Sequence, residues 1–322
     1  MILAAGLGTR LRPLTNDRPK ALVELNGRTL LEIALTRLQT FGVTEAIINV
    51  HHFAEMIIAY LKSKNNFNMH IEISREDDQL LDTGGGLKKA AWFFQETPTH
   101  PTHVAQGEVR EALRPSPNPK NDAAPQSEPE PFLLHNVDII STIDLTAMLE
   151  FHKQNQALAT LAVQSRPTSR QLLFNDQLQL SGRRINNYDT IIPLPQDTVI
   201  SPLQDTVMSS EARNLSSPSS RSPLTTHHSP LPRNVVIPSG ARNPLLSPLH
   251  PLAFSGVHIL SPRLLPLITE TGAFSIIDTY LRLSSQGQKI LAFRHDNSYW
   301  RDLGKPADLE QAALDLEQGT LL

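Results

Sequence analysis

A glycine-rich loop near the start of the chain contains the residues best suited to chemistry. The stretch LAAGLGTRLRPLTNDRPKA occupies residues 3–21 and follows a short apolar run. Its glycines, Gly6 and Gly8, let backbone N–H groups approach oxygen atoms without a Cβ in the way. The side chains of Arg10, Arg12 and Lys20 add positive charge to the same loop. This composition indicates a site for a polyphosphate.

Two common phosphate-binding motifs do not explain the loop. A dinucleotide-binding Gly-x-Gly-x-x-Gly sequence needs a third glycine where Leu11 stands, which argues against an oxidoreductase. A P-loop needs Gly-Lys-Ser/Thr directly before a helix, and residues 3–21 contain no such triplet. The loop therefore belongs to another class of phosphate site.

Two acidic residues far apart in the chain are candidates to complete this site. Asp138 follows the apolar run FLLHNV, and Asp302 follows a short run that contains Tyr299 and Trp300. Each aspartate is expected to emerge where a strand ends.

The elements that position these residues alternate between strand and helix patterns. Strands are predicted at 1–5, 46–50, 70–74, 132–135, 157–163, 253–259 and 290–293. Helices are predicted at 29–41, 52–62, 86–94, 145–152, 276–283 and from 306 to 316. This order predicts an α/β fold with a doubly wound, mixed and mostly parallel sheet. Ligands bind such sheets at the carboxyl ends of the strands, where the glycine-rich loop also lies.

Two tracts rich in proline and serine interrupt this pattern. They lie at about 97–131 and 188–251, and neither shows a helical or strand period over its length. We interpret residues 1–322 as one domain with two insertions, because such tracts bury too little apolar surface to offset their ordering entropy. The alternative for the second tract is a segment on which a partner protein docks.

The overall composition limits the function classes. The 322 residues carry a formal charge of −3, which argues against a protein that binds nucleic acid through bulk positive charge. Cysteine is absent, which excludes disulfides, thiolate metal sites and a cysteine nucleophile. The apolar start is too short for a signal peptide or a membrane span, so a cytoplasmic protein is expected.

The loop resembles the signature of a known enzyme family. Its pattern, LAAGxGTRLxPLT followed by PKAL, is similar to that of the sugar-1-phosphate nucleotidyltransferases, also called nucleotide-sugar pyrophosphorylases. The resemblance implies a Rossmann-like nucleotidyltransferase fold and Mg²⁺ as cofactor. It also implies a reaction in which an NTP and a sugar-1-phosphate give an NDP-sugar and pyrophosphate.

The resemblance assigns roles to particular residues. Nucleotide binding is implied for Leu3, Ala5, Gly6, Gly8, Thr9 and Arg10, and for Gly84 and Gly85 of the DTGGG motif. Catalytic roles are implied for Arg10, Lys20 and Asp138, metal binding for Asp138 and Asp302, and sugar binding for Asn136 and Gly256. A second lysine that contacts the sugar phosphate in longer relatives has no counterpart between Lys153 and Lys289, which leaves Arg183 or Arg184 as substitutes.

The substrates and the rival interpretation follow from the same comparison. Compact members of the family imply UTP and N-acetylmuramate-1-phosphate, with GTP and mannose-1-phosphate as the alternative. In the family an Asn-Gly-Asp sequence commonly stands where this chain has Asn136-Val137-Asp138. That change and the two tracts favour a different class as rival, namely a non-catalytic subunit that binds sugar nucleotides.

Overall fold

The fold is described from a computed structural model of the chain. It covers residues 1–95, 130–186, 188–192, 235–238 and 248–319. None of the helices in these ranges combines the length and the apolar character needed to cross a membrane.

The amino-terminal part alternates strands with helices. Its elements are β1 (Ile2–Leu3), β2 (Glu24–Leu25), β3 (Arg28–Thr29), α1 (Leu30–Thr40), β4 (Glu45–Val50), α2 (Ala54–Ser63), β5 (His70–Arg75) and α3 (Asp82–Lys89). Short 3₁₀ helices lie at Thr9–Leu11 and Lys20–Leu22, inside and directly after the glycine-rich loop.

Later elements are richer in strands. They are β6 (Phe132–Asn136), β7 (Ile139–Ser141), α4 (Leu145–Gln154), β8 (Ala159–Gln164), β9 (Arg170–Phe174), β10 (Leu180–Ile185), β11 (Tyr188–Ile191), β12 (Val235–Pro238), β13 (His250–Leu260), α5 (Ile276–Ser285), β14 (Ile290–Arg294), β15 (Trp300–Asp302) and α6 (Pro306–Glu317).

The strands form one large mixed sheet, as the sequence predicts. Its main path runs β12-β11-β10-β9-β13-β6-β1-β4-β5, with β8 joining β13 to β14. Strands β6, β1, β4 and β5 are parallel, whereas the contacts of β13 with β6, β8 and β9 are antiparallel. The carboxyl ends of β1, β4 and β6 therefore meet at one edge, where Leu3 lies opposite Asn49 and Asn136.

A second, two-stranded sheet carries one of the candidate acids. It pairs β7 with β15 in antiparallel fashion, with Asp302 opposite Ile139. The backbone N–H of Leu303 also donates to the carbonyl of Asp138 at 2.9 Å. The small sheet thus fixes β15 and the residue after it against the loop that follows β6.

Helix α1 shows how local sequence sets an element. The side chain of Thr29 accepts a hydrogen bond from the N–H of Glu32 at 3.1 Å and caps the amino terminus. Buried residues recur along the side facing the sheet, namely Leu31, Ala34, Leu35 and Leu38. The chain turns away at Gly42, whose φ of +79° favours glycine.

Two hydrophobic cores cover the faces of the large sheet. One packs α1 and α2 against β4 through residues such as Leu35, Ile48 and Ile57. The other packs α3 and α5 through residues such as Leu87 and Tyr280. A smaller cluster around Leu11 and Leu303 links the glycine-rich loop to β15 and α6.

The structure adds detail that the sequence patterns did not supply. The glycine-containing helix begins at Asp82 and ends at Lys89, with a 3₁₀ turn after it, instead of running from 86 to 94. Most of the two predicted insertions lies outside the described residues. Within the second tract, β11 pairs antiparallel with β12, and β13 already begins at His250. The division into one domain with insertions stays a prediction.

Candidate active site

The glycine-rich loop lines a cavity at the carboxyl edge of the sheet. Gly8 has a φ of +64°, and its carbonyl accepts a hydrogen bond from the Thr15 hydroxyl at 2.9 Å. At Gly6 an added Cβ would meet nothing within 4 Å, so the backbone there faces open space. The cavity holds about 520 Å³. It is lined by Leu3, Ala4, Ala5, Gly6, Leu7, Gly8, Thr9, Arg10, Lys20, Asn49, Leu80, Asp82, Thr83, Asn136, Val137, Asp138, Ala273 and Gly304.

The two candidate acids lie side by side. Asp138 and Asp302 are close enough for a hydrogen bond between their carboxyl groups. Burial raises the pKa of Asp302 above its usual value and Asp138 raises it further, whereas Lys20 and Arg10 lower it. Residues 164 positions apart in the sequence therefore form one acidic pair, of which Asp138 lines the cavity.

Positive charge from the loop meets this acidic pair. Lys20 is largely buried, and its Nζ forms an ion pair with Oδ2 of Asp138. Arg10 and Asp302 both approach Gly304, where an added Cβ would lie 2.7 Å from Arg10 Nη2 and 2.8 Å from Asp302 Oδ1. Two cations and two anions thus share one small volume.

The acidic pair has the donor set for one hard divalent cation. Oδ1 of Asp302 is buried and has no hydrogen-bond partner within the described ranges, so a lone pair is left for another ligand. Carboxylate oxygens are the ligands that Mg²⁺ prefers, and it often takes only one or two from protein. No cluster of three or more histidine or acidic side chains suited to a metal occurs among residues 1–95, 130–186, 188–192, 235–238 and 248–319.

A second cavity adjoins the first on the other side of Asn136. It also holds about 520 Å³, and its lining includes Asn136, Ile139, Gly256, Trp300 and Asp302. Four arginines complete its wall, namely Arg166, Arg170, Arg183 and Arg184. This composition favours an anionic ligand.

Gly256 lies at a backbone irregularity in this wall. Its φ is +74°, and the register between β13 and β8 shifts between Phe254 and His258. A Cβ at this position would lie 2.9 Å from Ile139 Cγ1 and 3.0 Å from Asn136 Nδ2. Glycine is thus required by both the backbone conformation and the nearby side chains.

The glycines of the DTGGG motif contact protein atoms. The N–H of Gly84 donates to the Phe274 carbonyl at 2.9 Å, and an added Cβ would overlap the Phe274 ring. A Cβ at Gly85 would lie 2.5 Å from the carbonyl oxygen of Gly272. Neither glycine lines the first cavity, whereas their neighbours Asp82 and Thr83 do. The nucleotide-binding role of Gly84 and Gly85 stays a prediction.

A buried polar network, absent from the sequence analysis, supports the edge of the sheet. Oδ1 of Asn49 accepts from the N–H of Ala4 at 2.7 Å, and its Nδ2 donates to Oε1 of Glu76 at 2.7 Å. Oε2 of Glu76 accepts from the N–H of Leu81 at 2.8 Å. The network ties the end of β1 to the segment that leads into α3. The available signals were Asn49, a polar residue inside the apolar run of a predicted strand, and Glu76, an acidic residue close to the end of the next one.

Arg166 is the other residue that sequence reasoning missed. The expected substitutes for a second lysine, Arg183 and Arg184, both line the second cavity, but each has a carboxylate partner. Arg183 Nη1 lies 2.6 Å from Asp278 Oδ1, and Arg184 Nε lies 2.6 Å from Asp189 Oδ1. Arg166 lies in no recognisable motif, and its side chain contacts Phe254 of β13 and Trp300 of β15.

Comparison with known proteins agrees with this geometry. Residues 1–109 match the nucleotidyl transferase family. The predicted resemblance to the nucleotidyltransferases is confirmed. An N-acetylmuramate alpha-1-phosphate uridylyltransferase of Caulobacter vibrioides is 47% identical over 106 residues, which are 32% of this chain and 44% of the relative. A mannose-1-phosphate guanyltransferase of Aspergillus fumigatus is 30% identical over 164 residues, 51% of this chain and 36% of the relative.

The matched stretches thus span less than half of these curated relatives. Solved structures extend the likeness of the fold over nearly the whole chain. A UDP-glucose pyrophosphorylase complexed with UDP-glucose has a TM-score of 0.59 at 15% identity, covering 99% of this chain and 97% of its own. HddC from Yersinia pseudotuberculosis, complexed with GMP-PN, has a TM-score of 0.58 at 17% identity, covering 98% and 97%. The nucleotidyltransferase fold is thereby confirmed.

Proposed function

We propose that this protein transfers a nucleotidyl group from an NTP to a sugar-1-phosphate. An oxygen of the sugar phosphate attacks the α-phosphorus, a new P–O bond forms, and the bond from the α-phosphorus to the bridging oxygen breaks. Pyrophosphate leaves with that oxygen, so atoms and charge balance. The observation that carries the proposal is the cluster of Arg10, Lys20, Asp138 and Asp302, the first three of which line the same cavity as the glycine-rich loop.

The proposed roles follow from charge and position. Arg10 and the backbone N–H groups of Gly6 to Thr9 bind the β- and γ-phosphates, which become the leaving group. Lys20 neutralises charge at the reacting phosphorus. Asp138 and Asp302 hold Mg²⁺, which when bound supplies Lewis-acid stabilisation of phosphate oxygens.

The chemistry needs little help from a general base. A phosphate monoester has a second pKa near 6, so the attacking group is already largely ionised at neutral pH. The obstacle is repulsion between two polyanions. Positioning and charge neutralisation are then the main contributions expected of the protein.

For the substrates we propose UTP and N-acetylmuramate-1-phosphate, with GTP and mannose-1-phosphate as the alternative. The support is the 47% identity over 106 residues to an N-acetylmuramate alpha-1-phosphate uridylyltransferase, against 30% for a mannose-1-phosphate guanyltransferase. This substrate pair would give the protein a role in cell-wall sugar metabolism in the cytoplasm.

The rival proposal is a non-catalytic subunit that binds sugar nucleotides. It draws on Val137 in place of glycine and on the tracts at 97–131 and 188–251, the second of which would then dock a partner. The presence of both acids and both cations favours the enzyme, because a binding subunit has no need of a complete acidic pair.

A pyrophosphate-release assay separates the two proposals. The full chain is incubated with Mg²⁺, one of UTP, GTP, CTP or dTTP, and one of glucose-, mannose- or N-acetylmuramate-1-phosphate. An enzyme releases pyrophosphate with at least one pair and forms the matching NDP-sugar. Binding of an NDP-sugar by calorimetry without any release would overturn the enzyme in favour of the subunit.

A further inference from the structure

Arg166 occupies the wall of the second cavity in a fixed orientation. It lies in the loop after β8, and its guanidinium carbon is 3.7 Å from the centroid of the Trp300 ring. Nη2 donates to the carbonyl of Phe254 at 2.8 Å. The stacking and the hydrogen bond hold the planar group in place before any ligand arrives.

The charge of Arg166 is not matched by an ion pair. Two of the other three arginines of this wall, Arg183 and Arg184, lie against Asp278 and Asp189, whereas Arg166 makes no salt bridge to a carboxylate in the part of the chain that the structure describes. Its Nε is buried and has no hydrogen-bond partner within the same described residues. A buried donor on a cation is costly to leave unpaired, so this group favours an anion.

The position of Arg166 indicates which anion. The electrostatic influence of Asp302 reaches Arg166, and both residues line the second cavity together with Asn136. Asn136 lines the first cavity as well. A sugar-1-phosphate that reacts with a nucleotide in the first cavity must have its phosphate at this boundary and its sugar in the second cavity.

From these contacts we infer that Arg166 binds the phosphate of the sugar-1-phosphate. The inference rests on the proposed nucleotidyl transfer and names the residue that takes the place of the missing second lysine. Arg183 and Arg184 are not available for this role while they are paired with Asp278 and Asp189. The planar fork of Arg166 allows two parallel N–H···O bonds to phosphate, which an ammonium group cannot make.

The test compares Arg166→Gln and Arg166→Lys with the unaltered chain in steady-state pyrophosphate release. The sugar-1-phosphate used is the one that the unaltered chain turns over fastest. Arg166→Gln is expected to raise KM for that sugar-1-phosphate by about 10- to 100-fold, as expected for a lost hydrogen bond to a charged group. Arg166→Lys is expected to recover part of this loss. KM for the NTP stays within about twofold in both.

Two controls separate binding from a structural role. Arg75→Gln removes an exposed arginine paired with Glu55 and Asp77, and is expected to leave both KM values unchanged. Calorimetric binding of the NTP to each variant checks that the first cavity is intact. If Arg166→Gln does not fold, the comparison of Arg166→Lys with the unaltered chain is the test. Lysine keeps the positive charge but lacks the planar guanidinium of arginine.

The outcomes distinguish the inference from the proposed function. An unaltered chain that turns over, with an unchanged KM for the sugar-1-phosphate in the folded Arg166 variants, overturns the role of Arg166 alone. Equal losses in NTP and sugar-1-phosphate affinity also overturn it, because they indicate a purely structural role. No turnover and no binding of any sugar-1-phosphate by the unaltered chain overturns the proposed function, and the inference with it.

Discussion

Lys20 donates a hydrogen bond from Nζ to Oδ2 of Asp138, and both side chains are mostly shielded from solvent. The pair joins the glycine-rich loop to the strand end that carries the first candidate acid. Within this contact the cation that we propose to neutralise phosphate and the acid that we propose to bind a metal keep each other in place.

We expect Lys20→Ala and Asp138→Asn each to lower kcat by about 10²- to 10³-fold, as is usual when a preorganised charged partner is lost. Because the two residues act as one unit, the double variant should lose much less than the product of the single losses. Pyrophosphate release measures kcat, and circular dichroism checks the fold. Lys153→Ala, which removes an exposed pair with Glu130, serves as the control. Multiplicative losses would show that the residues act independently.

Gly304 tests the close contact that its backbone makes with the side chains of Arg10 and Asp302. A methyl group at this position would lie 2.7 Å from Arg10 Nη2 and 2.8 Å from Asp302 Oδ1, so Gly304→Ala must displace both charged groups. Misplacement of about 1 Å costs on the order of 100-fold in rate, and we expect kcat/KM to fall by up to that factor. Because the end of an arginine side chain can move, the midpoint temperature of thermal unfolding should change little. Unchanged kcat/KM would mean that this contact does not serve the reaction.

The carboxylate of Glu76 supports the edge of the sheet. Its two oxygens accept from Asn49 Nδ2 and from the N–H of Leu81, so Glu76→Gln places an amide donor against one of these donors. We expect the free energy of unfolding to fall by about 1–3 kcal/mol, the cost of an unpaired buried group. Urea denaturation measures the change. Asp77→Asn, at an exposed neighbouring position, should stay within about 0.5 kcal/mol. Equal midpoints for the two variants would contradict the expectation.

His152 predicts a dependence of stability on pH. Burial lowers the pKa of His152 to about 4, and its Nδ1 lies 2.9 Å from Thr160 Oγ1. In the unfolded chain the same histidine titrates near 6.5, so between pH 6.5 and about 4 the unfolded state binds a proton that the folded state does not. The free energy of unfolding should fall as the pH is lowered, with a contribution from this residue of at most about 1.4 kcal/mol per pH unit. His152→Gln should give a shallower slope in denaturation at pH 6.5, 5.75 and 5. An unaltered slope would rule out this residue as the cause.

The sequence predicted those parts of the site that depend on local order along the chain. The glycine-rich loop and Asp138 each follow a strand, and parallel strands bring their carboxyl ends to one edge, so their proximity follows from the alternation of elements. The cap of α1 is local in the same way, because Thr29, where the predicted helix begins, accepts a hydrogen bond from the N–H of Glu32 three residues later.

Other features depend on contacts between distant segments. Arg166 is held in its proposed role by contacts with Trp300 and Phe254, which no pattern around residue 166 reveals. The function of a glycine run is equally ambiguous in sequence, since the ring of Phe274 requires glycine at position 84 whether or not a nucleotide base binds nearby. Pairing partners of charged groups, such as Asp278 for Arg183, also come from tertiary packing alone.

The small sheet of β7 and β15 separates assembly of the fold from completion of the site. Within the described residues every strand of the large sheet precedes Trp300 in the chain, so the hydrogen bonds of that sheet do not involve β15. Only when β15 pairs with β7 does the second acid reach the first. Displacement of β15 is thus expected to leave the pairing of the large sheet in place while it separates Asp302 from Asp138.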